Sequence, residues 1–224
     1  ENIYLSKYSG WYSVSDEAYY SKEEITIKDN IKVSIASGSE VEWVEEESYF
    51  FKLSKWQDKL LDYYEKNPDF ILPKSRKNEV LSFVKSGLKD LSVSRKSFSW
   101  GIKVPNNPEH IIYVWLDALT NYLSSLNYPD QNDDLYKKYW PTSVHLIGKD
   151  ILRFHAVYWP AFLLAADIPL PKRIYGHGWI LSGDEKMSKS KGNILDPLEI
   201  IKTYGLDPLR YYLIKEVSFG SDGS

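Results

Sequence analysis

The sequence predicts an α/β protein: a doubly wound parallel sheet, preceded by a small α+β module. Three observations carry that expectation. Short, largely apolar runs recur at Ile111-Ile112-Tyr113-Val114-Trp115, Val144-His145-Leu146-Ile147-Gly148 and Arg173-Ile174-Tyr175-Gly176, with helical stretches between them. Runs of this kind suit strands buried on both faces, and strand–helix–strand alternation is the pattern of a doubly wound sheet. Ahead of them, apolar and polar residues alternate with the period of half-buried strands. With 224 residues, 43% hydrophobic and 26% charged, the chain can bury a sizeable core, which excludes global disorder.

The elements follow in order. Ile25 and Ile27, then Ile31, Val33 and Ile35, flank Lys28-Asp29-Asn30 and read as a β-hairpin. Val41-Glu42-Trp43-Val44 resumes extended structure. Ser54-Lys55-Trp56-Gln57 is a capping-box pattern opening a helix whose Trp56, Leu60 and Tyr64 share a face, and Asn67-Pro68 ends it. A second helix over 75–86 turns Val80, Leu81, Val84 and Leu88 inward, with Gly87 near its end. After Pro105 come the strand at 111–115, a helix over 118–126, the strand at 144–148, a long helix over 150–166 and the strand at 173–176. Ligands of such sheets bind beyond the strands' carboxyl ends, here Trp115-Leu116-Asp117, Gly148-Lys149-Asp150 and Gly176-His177-Gly178.

Composition narrows the function classes. A net charge of −3 argues against a nucleic-acid partner held by bulk positive charge and leaves room for a local basic loop. Aromatic residues make up 15% of the chain, enough to line a cleft as well as a core. Cysteine is absent, so there is no disulfide, thiolate zinc site or cysteine nucleophile, which fits a reducing compartment. His110, His145, His155 and His177 share no zinc-ligand spacing, and no metal site is expected. No apolar run approaches the roughly 18 residues of a membrane span. The single methionine is Met187 and the first residue is Glu1, so the chain reads as a piece of a longer protein.

One segment concentrates chemistry. Lys186-Met187-Ser188-Lys189-Ser190-Lys191-Gly192-Asn193 puts three lysines, two hydroxyls and a glycine in a short stretch after a strand. Ammonium groups, hydroxyls and backbone N–H groups suit a polyphosphate whose charge grows on the leaving group, although a solvated basic loop has the same composition. Ala118 and Tyr122, and His155 and Trp159, are each spaced i, i+4, so each pair shares a helix face near a strand end, as a pocket lining or as plain core packing. Asp150 follows Gly148-Lys149, where a carboxylate accepts from ribose hydroxyls or caps a helix. Pro160 within the second of these helices leaves a carbonyl unpaired and bends it.

The order Lys186-Met187-Ser188-Lys189-Ser190 resembles the KMSKS signature loop of class I aminoacyl-tRNA synthetases. The segments Tyr113 to Ala118, His145 to Ile151 with Phe154-His155 and Trp159-Pro160, Gly176 to Trp179, and Val41 to Phe51 resemble the methionyl-tRNA synthetase family. The resemblance implies the second half of a Rossmann-type catalytic fold over 87–180, an inserted connective-peptide module over 1–86, and over 181–224 the KMSKS loop with the start of a stem-contact segment. It implies a methionine pocket of Trp115, Ala118, Tyr122, Phe154, His155 and Trp159, whose aromatic faces suit a polarizable thioether. It places ATP, carried with Mg2+, against Gly148, Asp150, His177, Gly178, Trp179 and Ile180. Lys186, Ser188, Lys189 and Ser190 act on the pyrophosphate, Lys189 foremost, and Arg95 lies near the phosphates or the acceptor end. The implied function is methionine–tRNA ligase, a cytoplasmic enzyme acting on L-methionine, ATP and tRNA(Met).

The sequence also departs from the family. The His-Ile-Gly-His signature is missing, and His145-Leu146-Ile147-Gly148-Lys149 is no substitute for it. The upstream catalytic half and the downstream anticodon-binding domain are expected outside this chain, which is expected to be inactive alone. The cysteine knuckles of many relatives are absent, so no zinc is expected. Two other readings remain: a fragment of a leucine, isoleucine or valine synthetase, and a non-catalytic module of the same fold that docks tRNA or protein.

Overall fold

The alternating stretch at 25–35 folds as the hairpin its pattern implies. Strands Ile25–Lys28 and Ile31–Ser34 pair antiparallel across Asp29 and Asn30, both at positive φ (51° and 65°), the left-handed two-residue turn that matches strand twist. The structure, a computed structural model, describes residues 1–16, 18–97, 99–183, 185–187, 192–216 and 220–223. It divides into two compact units, Glu1–Lys52 with Lys89–Ala118 and Leu53–Leu88 with Leu119–Ser224. The α-helices of the 1–86 segment and its short strand Ile71–Leu72 therefore fall in the second unit, and its other strands in the first.

In the first unit, strands Ala18–Tyr20, Ile3–Ser13, Glu42–Phe51 and Leu91–Ser92 form an antiparallel sheet in that order. Its long central pair runs from Ile3 opposite Phe51 to Tyr12 opposite Glu42. A second antiparallel sheet pairs Asn107–Ile112 with Ser94–Arg95 on one side and Lys103–Val104 on the other. This corrects the expected strand at 111–115. It ends at Ile112, it is antiparallel, and Val114 already opens the helix Val114–Ser124. A short apolar run is equally compatible with either partner and either element, and the neighbouring strands decide.

The second unit holds the parallel sheet, in the order Val144–Gly148, Arg173–His177, Ile71–Leu72. Val144 lies beside Arg173 and Gly148 beside His177, while Ile174 meets Ile71. The strand Ile71–Leu72 is only two residues long, too short to leave a periodic signature, and it replaces the 111–115 run in this sheet. Val144–Gly148 is covered on one face only: His145 and Ile147 are buried, while Val144 and Leu146 are 50% and 60% exposed. It was expected to be buried on both faces, but it is the edge strand and its second face carries no cover among the described residues.

Helices Gln57–Lys66 and Lys74–Lys85 enclose the sheet's core. Leu60, Tyr64, Val80, Val84, Val157 and Ile174 are each at most 1% exposed. The first helix starts at Gln57, after a 3-10 turn Leu53–Trp56, so Ser54 lies within that turn and Trp56, not Ser54, is the N-cap of the α-helix. The expected long helix over 150–166 is one helical run of changing pitch: a 3-10 turn Lys149–Ile151, a π turn Phe154–Tyr158 and an α-helix Trp159–Ala165. Beyond it, short strands Leu181–Ser182 and Glu185–Lys186 pair antiparallel, and helices Pro197–Tyr204 and Leu206–Lys215 follow. No described helix is long and apolar enough to cross a membrane.

Candidate active site

Two clusters form in the second unit, the second of them at the carboxyl end of the parallel sheet. The first is aromatic. Alternation along Val144–Gly148 turns His145 inward, and its ring stacks on Tyr122 at 4.0 Å between centroids. Tyr122 comes from the helix Val114–Ser124, and His155 and Trp159 come from the run of changing pitch. The Tyr122 hydroxyl lies 2.9 Å from His155 Nε2, and His155 Nδ1 lies 3.0 Å from the Ile151 carbonyl. A carbonyl only accepts, so Nδ1 carries the hydrogen and the Tyr122 hydroxyl donates to Nε2. The Trp159 indole N–H donates to His145 Nε2 at 3.3 Å. Trp140 closes the group edge-on to Trp159 at 6.3 Å, its own indole N–H donating to the Pro169 carbonyl.

Both histidines are held neutral. Burial lowers the His145 pKa to about 4, with the neighbouring His155 adding to the effect. Burial also lowers that of His155, against the opposing pull of the Ile151 carbonyl. Burial raises the Tyr122 phenol, which stays a donor. The cluster is thus uncharged, polarizable and internally hydrogen-bonded.

The second cluster joins Gly148-Lys149-Asp150 to Gly178-Trp179. Trp179 Nε1 donates to Asp150 Oδ1 at 3.3 Å, and Lys149 Nζ lies 4.1 Å from the centre of the Trp179 ring. Gly148, not Asp150, stands at the N-cap of the turn Lys149–Ile151. The segment 220–223 packs on this cluster. Asp222 Oδ2 pairs with Lys149 Nζ at 2.6 Å, and Oδ1 accepts from the Trp179 backbone N–H at 2.8 Å. Those two donors hold the Asp222 carboxyl below its ordinary value. Gly178 is required here, since a β-carbon on it would lie 1.9 Å from the Ser221 carbonyl oxygen.

The other site residues named from sequence fall as follows. Trp115 is half-buried and Ala118 exposed on the first unit's part of the helix Val114–Ser124. Phe154 is half-buried, edge-on to Tyr158 at 5.5 Å. His177 is exposed, its Nδ1 donating to the Gly178 carbonyl at 2.7 Å, and Ile180 is 38% exposed. Arg95 is 5% exposed in the first unit, donating from Nη1 to Ser92 Oγ and to the Ser94 carbonyl, both at 2.7 Å, with its guanidinium over the Tyr113 ring. Lys186 ends the strand Glu185–Lys186, and Ser188, Lys189 and Ser190 lie outside the described residues.

The sequence reading missed His145, Trp140, Lys149 and Asp222 as parts of these clusters. The inward alternation of His145 with Ile147 was a usable signal. Asp222 carried none, since its partner Lys149 is 73 residues away.

Comparison with known proteins gives first the class and then the family. The chain superposes along its whole length, at TM-score 0.93 and 54% identity, on Mycobacterium tuberculosis methionyl-tRNA synthetase in complex with methionyl-adenylate, covering 44% of that chain. The α/β layout is therefore that of a class I synthetase of Rossmann type. The model of the family described as tRNA synthetases class I (M) matches residues 26–224, and the chain belongs to that family. It is 60% identical over 224 residues to the methionine–tRNA ligase of Brucella suis biovar 1, and 61% over 223 residues to that of Rickettsia bellii. Against the Bacillus subtilis ligase the identity is 56% over 230 residues. The chain spans 43% of the length of the Brucella and Rickettsia relatives and 35% of the Bacillus one.

Proposed function

We propose that this chain is the central part of a methionine–tRNA ligase, supplying its methionine pocket, part of its ATP site and its KMSKS loop. The observation that carries the reading is the convergence of Tyr122, His155 and Trp159, named by the family resemblance, on one neutral aromatic cluster with His145. The methionyl-adenylate held by the M. tuberculosis relative, 54% identical throughout, supports the same ligand here. Trp115, Ala118 and Phe154 complete the proposed lining.

In the proposed reaction a methionine carboxylate oxygen attacks the α-phosphorus of Mg·ATP. The bond to the bridging oxygen breaks and pyrophosphate leaves. A ribose hydroxyl at the tRNA(Met) terminus then attacks the acyl carbon, and AMP departs. Neither step needs a protein nucleophile; positioning and charge stabilisation suffice. Asp150 accepts from the ribose hydroxyls, with Gly148, His177, Gly178, Trp179 and Ile180 around the nucleoside. Lys186, Ser188, Lys189 and Ser190 stabilise the pyrophosphate, and Arg95 acts near the phosphates or the acceptor end.

The segmentation that goes with this reading is a connective peptide over 1–86, the second catalytic half over 87–180, and the loop and stem-contact segment over 181–224. An upstream catalytic half with the His-Ile-Gly-His motif and a downstream anticodon-binding domain complete the enzyme. The chain alone is then inactive, and the enzyme is cytoplasmic and needs no zinc in this cysteine-free part.

Thermal stabilisation by non-hydrolysable aminoacyl-adenylate analogues tests the proposal. A ligand at a hundred times its dissociation constant adds about 2.7 kcal/mol. Stabilisation of the full-length polypeptide by the methionyl analogue alone is expected. A shift with the leucyl or isoleucyl analogue instead would transfer the chain to those synthetases, and no shift with any would favour a docking module.

A further inference from the structure

The helical run after Lys149 changes pitch where the aromatic cluster is made. The Trp159 amide N–H reaches back five residues to the Phe154 carbonyl, which makes Phe154–Tyr158 a π turn, a local widening of the helix. Pro160 follows immediately and brings no N–H. The Ala156 carbonyl, four residues before it, accepts instead from the Tyr64 hydroxyl, which arrives from the helix Gln57–Lys66. Ala156 and Tyr64 are both buried to within 1%, so water does not replace this bond, and a buried carbonyl without a donor is strongly unfavourable. The Tyr64 ring is held parallel to Phe70 at 6.1 Å between centroids. Burial raises its pKa, so the phenol keeps its hydrogen.

The π turn sits between two side chains of the cluster. His155 lies inside it and Trp159 follows it, and the pitch of the turn sets the angle between them around the helix axis. His155 meets Tyr122, and Trp159 meets His145. A return to ordinary α pitch would rotate one relative to the other and break one of these contacts.

We propose that Tyr64 is a positioning residue of the amino-acid pocket: it gives the Ala156 carbonyl the hydrogen that Pro160 lacks, and so holds the π turn that orients His155 and Trp159 around Tyr122. The inference rests on the reading that these rings line the amino-acid site.

The test uses the full-length polypeptide containing this chain, as wild type, Tyr64→Phe and the double variant Tyr64→Phe/Pro160→Ala. Amino-acid-dependent pyrophosphate exchange gives KM for the amino acid and for ATP, and thermal melting gives Tm. Tyr64→Phe is expected to raise the amino-acid KM about tenfold, the equivalent of one lost buried hydrogen bond, and to leave the ATP KM unchanged. In the double variant the new amide N–H at position 160 serves Ala156 at ordinary pitch, so Tm recovers while the amino-acid KM does not. An unchanged amino-acid KM in Tyr64→Phe, or recovery of KM together with Tm in the double variant, would overturn the proposal. If the wild type takes leucine or isoleucine in place of methionine, the methionine reading falls, and the same KM comparison with that amino acid still decides the role of Tyr64.

Discussion

The Tyr122 hydroxyl donates to His155 Nε2 at 2.9 Å, and the same imidazole is anchored through Nδ1 to the Ile151 carbonyl at 3.0 Å. One ring thus ties two helical segments together through both nitrogens, and its tautomer is set by a backbone carbonyl that can only accept.

Removing the hydroxyl isolates that tie. Tyr122→Phe keeps the ring stacked on His145 but leaves His155 Nε2 without this donor. A loss of about 1 kcal/mol is expected, lowering Tm by about 2–4 °C for a chain of this size. Methionine affinity, measured by calorimetry on the full-length polypeptide, is expected to fall, with ATP affinity unaffected. An unchanged Tm would mean that the Tyr122–His155 bond contributes nothing.

Stability is expected to decline with acid before the carboxylates titrate. His145 is neutral in the folded chain down to about pH 4, whereas the unfolded chain binds its proton near 6.5. Between those values the unfolded state holds the extra proton, so stability rises with pH across the window and is fully present above it. His155, also lowered, adds in the same direction. Asp16 and Asp222, lowered from 3.8, contribute only to the loss at lower pH. Denaturant titrations from pH 4 to 7 should show this slope, and His145→Phe should flatten it.

Gly178→Ala should detach the segment 220–223. No side chain fits within 1.9 Å of the Ser221 carbonyl, so this backbone must move. The bonds from Leu181 N to Gly223 O and from Gly223 N to Trp179 O, and the Asp222 contacts, are then lost together. Hydrogen exchange is expected to quicken at Trp179, Leu181 and Gly223 and to stay slow in Trp159–Ala165. Unchanged protection at Trp179 would count against the packing described here.

The hairpin turn offers a test confined to the first unit. Asn30 adopts φ 65° at the second turn position, where glycine is free of the Cβ penalty. Asn30→Gly is expected to hold or raise Tm, and the β-branched Asn30→Val to lower it by more than a surface substitution usually does.

Much of the fold could be read from local pattern. Period-two alternation around Asp29-Asn30 specified the hairpin, because one face of each strand meets the same environment at every second residue. Trp56, Leu60 and Tyr64, then Val80 and Val84, specified helix faces that are buried as spaced. The shared face of His155 and Trp159 was visible for the same reason, and both are buried, whereas Ala118, spaced to share a face with Tyr122, is exposed. Tertiary structure decided what local pattern cannot encode. It gave the third place in the parallel sheet to Ile71–Leu72 and put Ile111 in an antiparallel one, because strand partners are chosen by non-local hydrogen bonds. It brought Asp222 to Lys149 and Tyr64 to Ala156 across 73 and 92 residues. Each of those contacts satisfies a charge or a buried carbonyl with a group that no nearby residue supplies, so only the folded chain could show them.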